Sequence, residues 1–312
     1  MQHPRQEVFF LVNPNSASGK TKAWWKAASH YFAEQDLPHQ WEYSYSMEQS
    51  VQYVQDALKK GFRQIVAVGG DGTNHAVINA LMNQEICSPL DILYALYPLG
   101  TGNDWARYHK IPRKTSEWLD MWKRQNVVLH DLGWVEYQEG QHRNNRYFVN
   151  VAGLAYDAYL VHRIEKENIP KDNKLVYLWM LLKCLLVYKM EEAIITSGQK
   201  NIEGEFYTIN IGVTKFAGGG MEIVPEASPY DEQLSMTGAK GLSKWEVIRN
   251  IYRFYNGTYS KYKKVIKFHM QQMDVSVPNG NQEILIEADG EFLGSTPARF
   301  TSINKAFKVV LP

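Results

Sequence analysis

Ile65-Val66-Ala67-Val68-Gly69-Gly70-Asp71-Gly72-Thr73 is the stretch on which the reading of this chain turns. Four apolar residues suited to a buried strand run into three glycines, and a helical run follows from Asn74 to Met82. A tight turn would need the glycines but neither the carboxylate nor the hydroxyl. Glycines on both sides of Asp71 leave room for a phosphate beside a metal-associated carboxylate, and Thr73, at the helix start, is placed to donate to phosphate oxygens.

The same alternation extends on both sides. Val8 to Val12 reads as a short strand, and Lys22 to Glu34 as a helix with Trp25, Ala28, Tyr31 and Phe32 at helical spacing. Ser50 to Lys60 repeats the helical pattern, and Leu93 to Pro98 is a further strand before the helical run Trp105 to His109. Such alternation predicts a doubly wound, mostly parallel α/β domain over residues 1–130, with ligands at the carboxyl ends of its strands. Two more turns sit at such ends. In Asn13-Pro14-Asn15-Ser16-Ala17-Ser18-Gly19-Lys20, small residues let backbone N–H groups approach an anion, and Lys20 adds a point charge. The spacing is not that of a Walker A loop, and an ordinary polar strand-to-helix turn fits it equally. In Pro98-Leu99-Gly100-Thr101-Gly102-Asn103-Asp104, Thr101 and Asn103 suit a ribose or phosphate, while Asp104 reads equally as a helix cap.

Residues 131–312 have a different texture. Short runs of β-formers, among them Arg146 to Val151, Phe206 to Val213, Lys264 to Phe268 and Glu283 to Glu287, predict a mainly antiparallel β-sandwich. Helical insertions are expected near 173–190 and 243–256, and the last strand, Phe307 to Leu311, is expected to pack back on the first domain. With no evident linker, the two domains are expected to enclose an active-site cleft. Ala288-Asp289-Gly290-Glu291 puts two carboxylates two apart, which on a regular strand face the same side and aim a base and a partner into a cleft. Asp-Gly is also a standard hairpin-turn signal, and taken alone this segment favours the hairpin.

Composition narrows the classes. With 45% hydrophobic and 21% charged residues, the chain of 312 can afford packed cores for two domains and is not broadly disordered. Lys and Arg number 34 against 33 Asp and Glu, so no overall field argues for nucleic acid as a partner. Cys87 and Cys184 are far apart and lack metal-ligand spacing, which excludes a disulfide scaffold and suits a reducing cytoplasm. The polar start MQHPRQ predicts no signal or transit segment, and Leu175 to Tyr188, broken by Lys183, is too short to span a bilayer.

Taken together, these four turns resemble the diacylglycerol kinase catalytic family, specifically the soluble bacterial lipid kinases that also look like sphingosine kinases. The likeness runs nearly end to end, through Asp131 in His130-Asp131-Leu132-Gly133, Asn150 to Asp157, Pro225 to Met236 and the closing Lys308 to Pro312. The glycine turn is also similar to one in NAD kinases, which usually carry an Asn-Glu pair where this chain has Gly100 to Asp104. The resemblance implies an ATP- and Mg²⁺-dependent kinase that moves the γ-phosphate to a hydroxyl of a lipid such as diacylglycerol or a sphingoid base. It implies that Asn13, Pro14, Asn15, Ser16, Ala17, Gly70, Asp71, Gly72, Thr73 and Thr101 line the ATP site. Glu291 is the implied proton acceptor with Asp289 beside it, and Asp71, Asp104 and Asp131 the implied acidic network around magnesium. A second, structural metal accompanies an Asp-Asp-Gly pattern in such kinases; here Tyr230-Asp231-Glu232 retains only Asp231. Ala76 stands where the family often has Glu. An NAD kinase-like enzyme and a catalytically silent lipid-binding protein of the same fold are the alternatives.

A lipid substrate requires transient contact with a membrane. Between Lys240 and Lys267 stand eight basic residues and one acidic residue, Glu246, interleaved with Trp245, Tyr252, Phe254, Tyr255, Tyr259 and Tyr262. Aromatic and cationic side chains together suit a membrane interface, so residues 240–267 are a candidate docking segment. The helical spacing of Trp245, Ile248, Tyr252 and Tyr255 fits a buried core face equally well.

Overall fold

Short apolar strands alternating with amphipathic helices build a parallel sheet in the first half of the chain. The computed structural model describes residues 5–167, 169, 174–278 and 282–312; residues 1–4 of the polar start, and residue 173 at the edge of an expected helix, lie outside the described residues. By contact, the chain forms one unit that ends at Asp131 and includes Lys305–Pro312, and a second unit, Leu132–Asn304.

In the first unit β1 (Arg5–Val12), α1 (Thr21–Glu34), β2 (His39–Tyr43), α2 (Met47–Lys59), β3 (Phe62–Gly69), α3 (Asp71–Met82) and β4 (Leu93–Pro98) follow in order. Helices α4 (Asp104–Tyr108) and α5 (Thr115–Arg124) then lead to β5 (Val127–Glu139). The strand order is β4-β3-β1-β2, every pair parallel. Val12 lies opposite Val68, and Gly69 opposite Pro98, so β1, β3 and β4 release their chains at one level of the sheet. Aromatic packing holds the helices there. Trp25, Ala28 and Phe32 form the buried stripe of α1, Phe10 lies 4.8 Å from Trp25, and Phe32 lies 5.5 Å from Trp118 of α5. Trp118 also donates its indole N–H to Leu96 O at 2.8 Å, which satisfies the one polar atom of a fully buried ring. α3 is buried from Thr73 to Leu81; Tyr94 donates to Asn74 Oδ1 and Asn79 donates to His75 O, while Asn74 Nδ2 has no hydrogen-bond partner among the described residues.

The second unit takes in β6 (His142–Phe148), β7 (Val151–Ala155), α6 (Tyr156–Lys166), α7 (Lys174–Val187), β8 (Glu191–Ser197) and β9 (Lys200–Gly212). Short strands β10 (Phe216–Ala217) and β11 (Met221–Glu222) precede β12 (Leu234–Lys240), α8 (Lys244–Asn250) and α9 (Tyr252–Tyr255). Strands β13 (Val265–Met270), β14 (Gln272–Ser276), β15 (Leu285–Ala288) and β16 (Glu291–Val310) complete the chain. Two long strands serve both layers of the expected sandwich. β9 pairs with β8 through its first half and with β7 and β12 through its second, while β16 pairs with β15 and then with β14, all antiparallel. The end of β16 joins the first unit, with Lys308 and Val309 parallel to Leu93 and Tyr94 of β4. The single run Arg146 to Val151 expected from sequence is broken at Val149-Asn150, for a reason given below. Among the described residues no helix is long and apolar enough to cross a membrane.

Candidate functional site

Three turns meet at the carboxyl ends of β1, β3 and β4. Asn13 donates its backbone N–H to Val68 O at 2.9 Å and its side-chain amide to Thr73 Oγ1 at 3.1 Å, tying the first turn to the second. A Cβ on Gly69 would fall 2.2 Å from Thr73 Oγ1 and 3.0 Å from Ser16 Oγ, and one on Gly100 would fall 2.2 Å from Gly70 Cα. Glycine at 69 and 100 is therefore a packing requirement. Asn103 adopts a left-handed backbone (φ 52°) and folds its amide back on Gly100, accepting from its N–H at 3.1 Å and donating to its carbonyl at 2.7 Å. Thr101 is exposed at the tip of that turn, and Gly72 is exposed while Thr73 is buried. In the first turn Pro14 is buried, Asn15 donates its N–H to Asn13 Oδ1 at 3.0 Å, and Ala17, Ser18 and Gly19 are all left-handed. Two non-glycine residues in that region store strain of the kind concentrated at ligand loops.

Asp71 opens α3, whose N-cap is Gly70, and no side chain of the described residues caps this positive helix end. One oxygen of Asp71 accepts the backbone N–H of Trp105 at 3.2 Å. The carboxylate that serves the start of α4 is thus that of Asp71. Asp104 is buried in the first turn of α4, 3.8 Å from Arg107 Nε. Behind it the Trp105 indole donates to His130 Nε2 at 3.2 Å, and His109 Nε2 lies 3.1 Å from the same atom. Because the indole can only donate, His130 carries its proton on Nδ1, which meets Asp131 O at 2.5 Å. Burial pushes His130 down to about 3 and, with His130 adding to it, lowers His109 as well, so both rings are neutral. Asp131 is buried and accepts the N–H of Lys305 at 2.7 Å, which anchors the closing segment.

The donor set suits magnesium held in an open way. Asp71 and Asp104 offer carboxylate oxygens on adjoining turns, but among the described residues no three His, Cys, Asp or Glu side chains are grouped to hold a metal. Magnesium commonly takes one or two carboxylates and completes its shell with phosphate oxygens and water. The implied three-carboxylate network is therefore not a closed cage. Asp231 is exposed and accepts the N–H of Gln233 at 3.2 Å, while Glu232 keeps the left-handed backbone (φ 63°) that a glycine would adopt without strain.

In the second unit the Asp289-Gly290 pair is a two-residue hairpin turn, with φ 53° and 84° and Ala288 opposite Glu291. Of the two readings of this segment the hairpin turn is the one realised, so Asp289 and Glu291 do not alternate along one strand. Asp289 turns its carboxylate onto the backbone N–H groups of Val149 (2.9 Å) and Asn150 (2.8 Å), which explains the break between β6 and β7. Its own N–H donates to Val151 O at 2.9 Å. Buried Glu287 accepts the N–H of Gly290 at 2.8 Å and occupies the space beside Gly153, where a Cβ would lie 2.5 Å from Glu287 Oε1 and 3.0 Å from Asp157 Cβ. Glu291, half-buried, opens β16 from this braced turn.

Asp157 faces a pocket of about 80 Å³ walled by apolar side chains, including Leu181, Leu185, Ile223, Val247, Ile251 and Phe254. Thr208 donates to its carboxylate, and Asn210 donates to Thr208 Oγ1 at 3.0 Å. Burial outweighs these bonds and pushes Asp157 up to about 6. The buried hydroxyls of Tyr207 and Tyr259, also in the pocket wall, have no hydrogen-bond partner among the described residues. An apolar pocket with a carboxyl and two unsatisfied hydroxyls fits an amphiphile with a polar end. Asp157 stood in the sequence only as part of a resemblance. Its partners lie 51 and 53 residues away at Thr208 and Asn210, and no local spacing announces them.

Comparison with known proteins agrees with this geometry. Residues 7–135 match the diacylglycerol kinase catalytic domain, and residues 150–311 match the YegS C-terminal NAD kinase beta sandwich-like domain. The chain belongs to the diacylglycerol kinase catalytic family, in its branch with that C-terminal domain. A diacylglycerol kinase of Mycobacterium tuberculosis is 26% identical over 261 residues, covering 82% of this chain and 79% of the relative. One of Bacillus subtilis is 26% identical over 263 residues, covering 82% and 80%. A crystal structure of a diacylglycerol kinase from Bacillus anthracis superposes with a TM-score of 0.72 at 18% identity, covering 98% of this chain and 97% of that one. Yeast NADH kinase in complex with NADH shares the fold more distantly, with a TM-score of 0.56 at 12% identity, covering 100% and 84%.

Two outcomes follow from this geometry. Gly100→Ala forces backbone against backbone, so denaturant unfolding is expected to show a loss of about 1–3 kcal/mol. For Asp157, the folded carboxyl titrates near 6 and an unfolded one near about 4, so the folded state holds the extra proton between them. Wild-type stability should then fall as pH rises from about 4 to 6, by up to roughly 2–3 kcal/mol, and level off above. Thermal unfolding of Asp157→Asn across that range should show the decline removed.

Proposed function

We propose that the protein is an ATP-dependent lipid kinase that transfers the γ-phosphate to a hydroxyl of a lipid such as diacylglycerol or a sphingoid base. The observation that carries this reading is the apolar pocket with Asp157 at its floor, in the same unit as Glu291. An acyl chain belongs in such a pocket; the charged, hydroxyl-rich body of NAD does not.

Phosphoryl transfer asks mainly for positioning and charge neutralisation. The three turns would bind the nucleotide, with Asn13 to Ala17, Gly70 to Thr73 and Thr101 against ribose and phosphates and the open α3 N-terminus facing negative charge. Asp71 and Asp104 would hold Mg²⁺, which when bound neutralises phosphate charge. Asp131, joined to that region through His130 and Trp105, keeps the support rigid. Glu291 accepts the proton of the lipid hydroxyl. Asp289 and Glu287 position it by fixing the hairpin on which it stands. The reading places the enzyme in the cytoplasm, in transient contact with a membrane.

The assignment of Glu291 is tested beside Asp289, because the two carboxylates are given different work. Glu291→Gln keeps shape and removes basicity, so lipid phosphorylation should fall by roughly 10²-fold or more with ATP affinity and unfolding midpoint unchanged. Asp289→Ala strips two backbone N–H groups of their acceptor and should cost about 1–3 kcal/mol of stability as well as activity. A Glu291→Gln variant with near wild-type turnover on dispersed lipid would remove Glu291 from the mechanism.

A further inference from the structure

The outer faces of α7, α8 and α9 carry large apolar side chains in water. Trp179, Leu182 and Leu186 of α7 are 56%, 41% and 62% exposed, and Trp245, Tyr252 and Tyr255 of α8 and α9 are 79%, 52% and 65% exposed. The helical spacing read from sequence is therefore real but points outward; of that set only Ile248 packs against the core. These helices are neighbours: Lys244, at the start of α8, donates to Leu186 O at the end of α7. They also wall one pocket, with Leu181 and Leu185 from α7 and Val247 and Phe254 from α8 and α9. The exposed side chains thus ring the same structure that holds Asp157.

Charge from Lys240 to Lys267 is predominantly basic, while Lys183 of α7 is paired with Glu167 at 3.5 Å. The one acidic residue between Lys240 and Lys267, Glu246, is paired with Lys264 at 2.8 Å and caps Ser243 at the start of α8. Cations stand against the aromatic rings, with Lys183 Nζ 4.9 Å from Trp179 and the Arg253 guanidinium 5.4 Å from both Tyr252 and Tyr262. Arg249, Lys261 and Lys263 are exposed nearby in sequence. A second copy of this face would bring like charges together. Exposed Trp and Tyr among cations match instead the boundary of a bilayer, where aromatic rings sit at headgroup depth and each Lys or Arg is drawn by anionic lipid.

We propose that the outer face of α7, α8 and α9 docks on a membrane leaflet bearing anionic phospholipid headgroups, with Trp179, Leu186 and Trp245 entering the interface. The lipid-kinase reading gives this surface its purpose, but its test needs no catalysis. Lys264 is unsuitable for the test because its amine holds Glu246 and Gly241 O.

The full chain is sedimented with vesicles of phosphatidylcholine containing 30 mol% (about one-third) phosphatidylglycerol, and with phosphatidylcholine alone, at low and high salt. Wild type should bind the anionic vesicles, and salt should weaken the binding. The triple variant Arg249→Gln, Lys261→Gln, Lys263→Gln should partition on the order of 100-fold more weakly, the loss expected for three cations at about 1 kcal/mol each. Trp179→Ser with Trp245→Ser should lose at least about tenfold on anionic vesicles. Both variants should phosphorylate lipid in neutral detergent micelles within about twofold of wild type, since neither touches the pocket. Wild type failing to bind anionic vesicles, both variants binding as wild type does, or a dimer in sedimentation that the Trp pair abolishes would overturn the docking surface. If the chain works on micellar lipid yet ignores vesicles, the surface falls and the kinase reading stands. Vesicle binding with the expected losses, in a chain that phosphorylates no acceptor, supports the surface and overturns the kinase reading.

Discussion

Backbone meets backbone between Gly70 and Gly100, where a single added Cβ would stand 2.2 Å from the facing Cα. Everything in the first unit that bears on chemistry depends on that approach. It brings the turn after β4 against the turn after β3, which lets Asp71 reach the N–H of Trp105 and so start α4. From Trp105 the order passes through the indole to His130 and from there to Asp131 and the closing segment. Neutral imidazoles suit this task, and burial keeps both histidines uncharged. The acidic residues are thus spread along a bonded framework, a distribution suited to magnesium shared with phosphates.

The second unit solves a different problem, that of holding carboxylates in apolar surroundings. Asp289 is satisfied by two backbone donors, Glu287 by the N–H of Gly290, and Asp157 by Thr208. Asp157 looks into a pocket, and its raised titration is the mark of a carboxyl kept dry. Gly153 is the hinge of this arrangement, since its missing side chain is the space shared by Glu287 and Asp157. Glu287, which braces the hairpin carrying Glu291, and Asp157 at the pocket floor thus lie against the same glycine.

Much of this was legible in the sequence, and the parts that were not failed for identifiable reasons. The α/β alternation and the glycine turns were readable because strand length, helical spacing and turn chemistry are local. β2 escaped because its five residues lie at an edge and are mostly exposed, and β12, Leu-Ser-Met-Thr-Gly-Ala-Lys, because it is poor in β-branched and aromatic residues. Between the strand and hairpin readings of Asp289 and Glu291 the Asp-Gly turn signal was the sounder guide, because the chain reverses there and the two acids do not share a strand face. Helical spacing of Trp245, Ile248, Tyr252 and Tyr255 could not say whether the stripe faces in or out; the fold alone decides that. His130 as a neutral acceptor and Asp157 as a pocket floor both rest on partners distant in sequence, and were beyond local patterns.

The central claim is transfer of the γ-phosphate of ATP to a lipid hydroxyl. Its most direct measurement is incubation of the protein with γ-labelled ATP, magnesium, and equal amounts of dispersed diacylglycerol, a sphingoid base and NAD, followed by extraction into organic solvent. The account predicts label in an extractable lipid phosphate and none in a phosphorylated dinucleotide. Label in the dinucleotide, or no transfer to any acceptor, would contradict it.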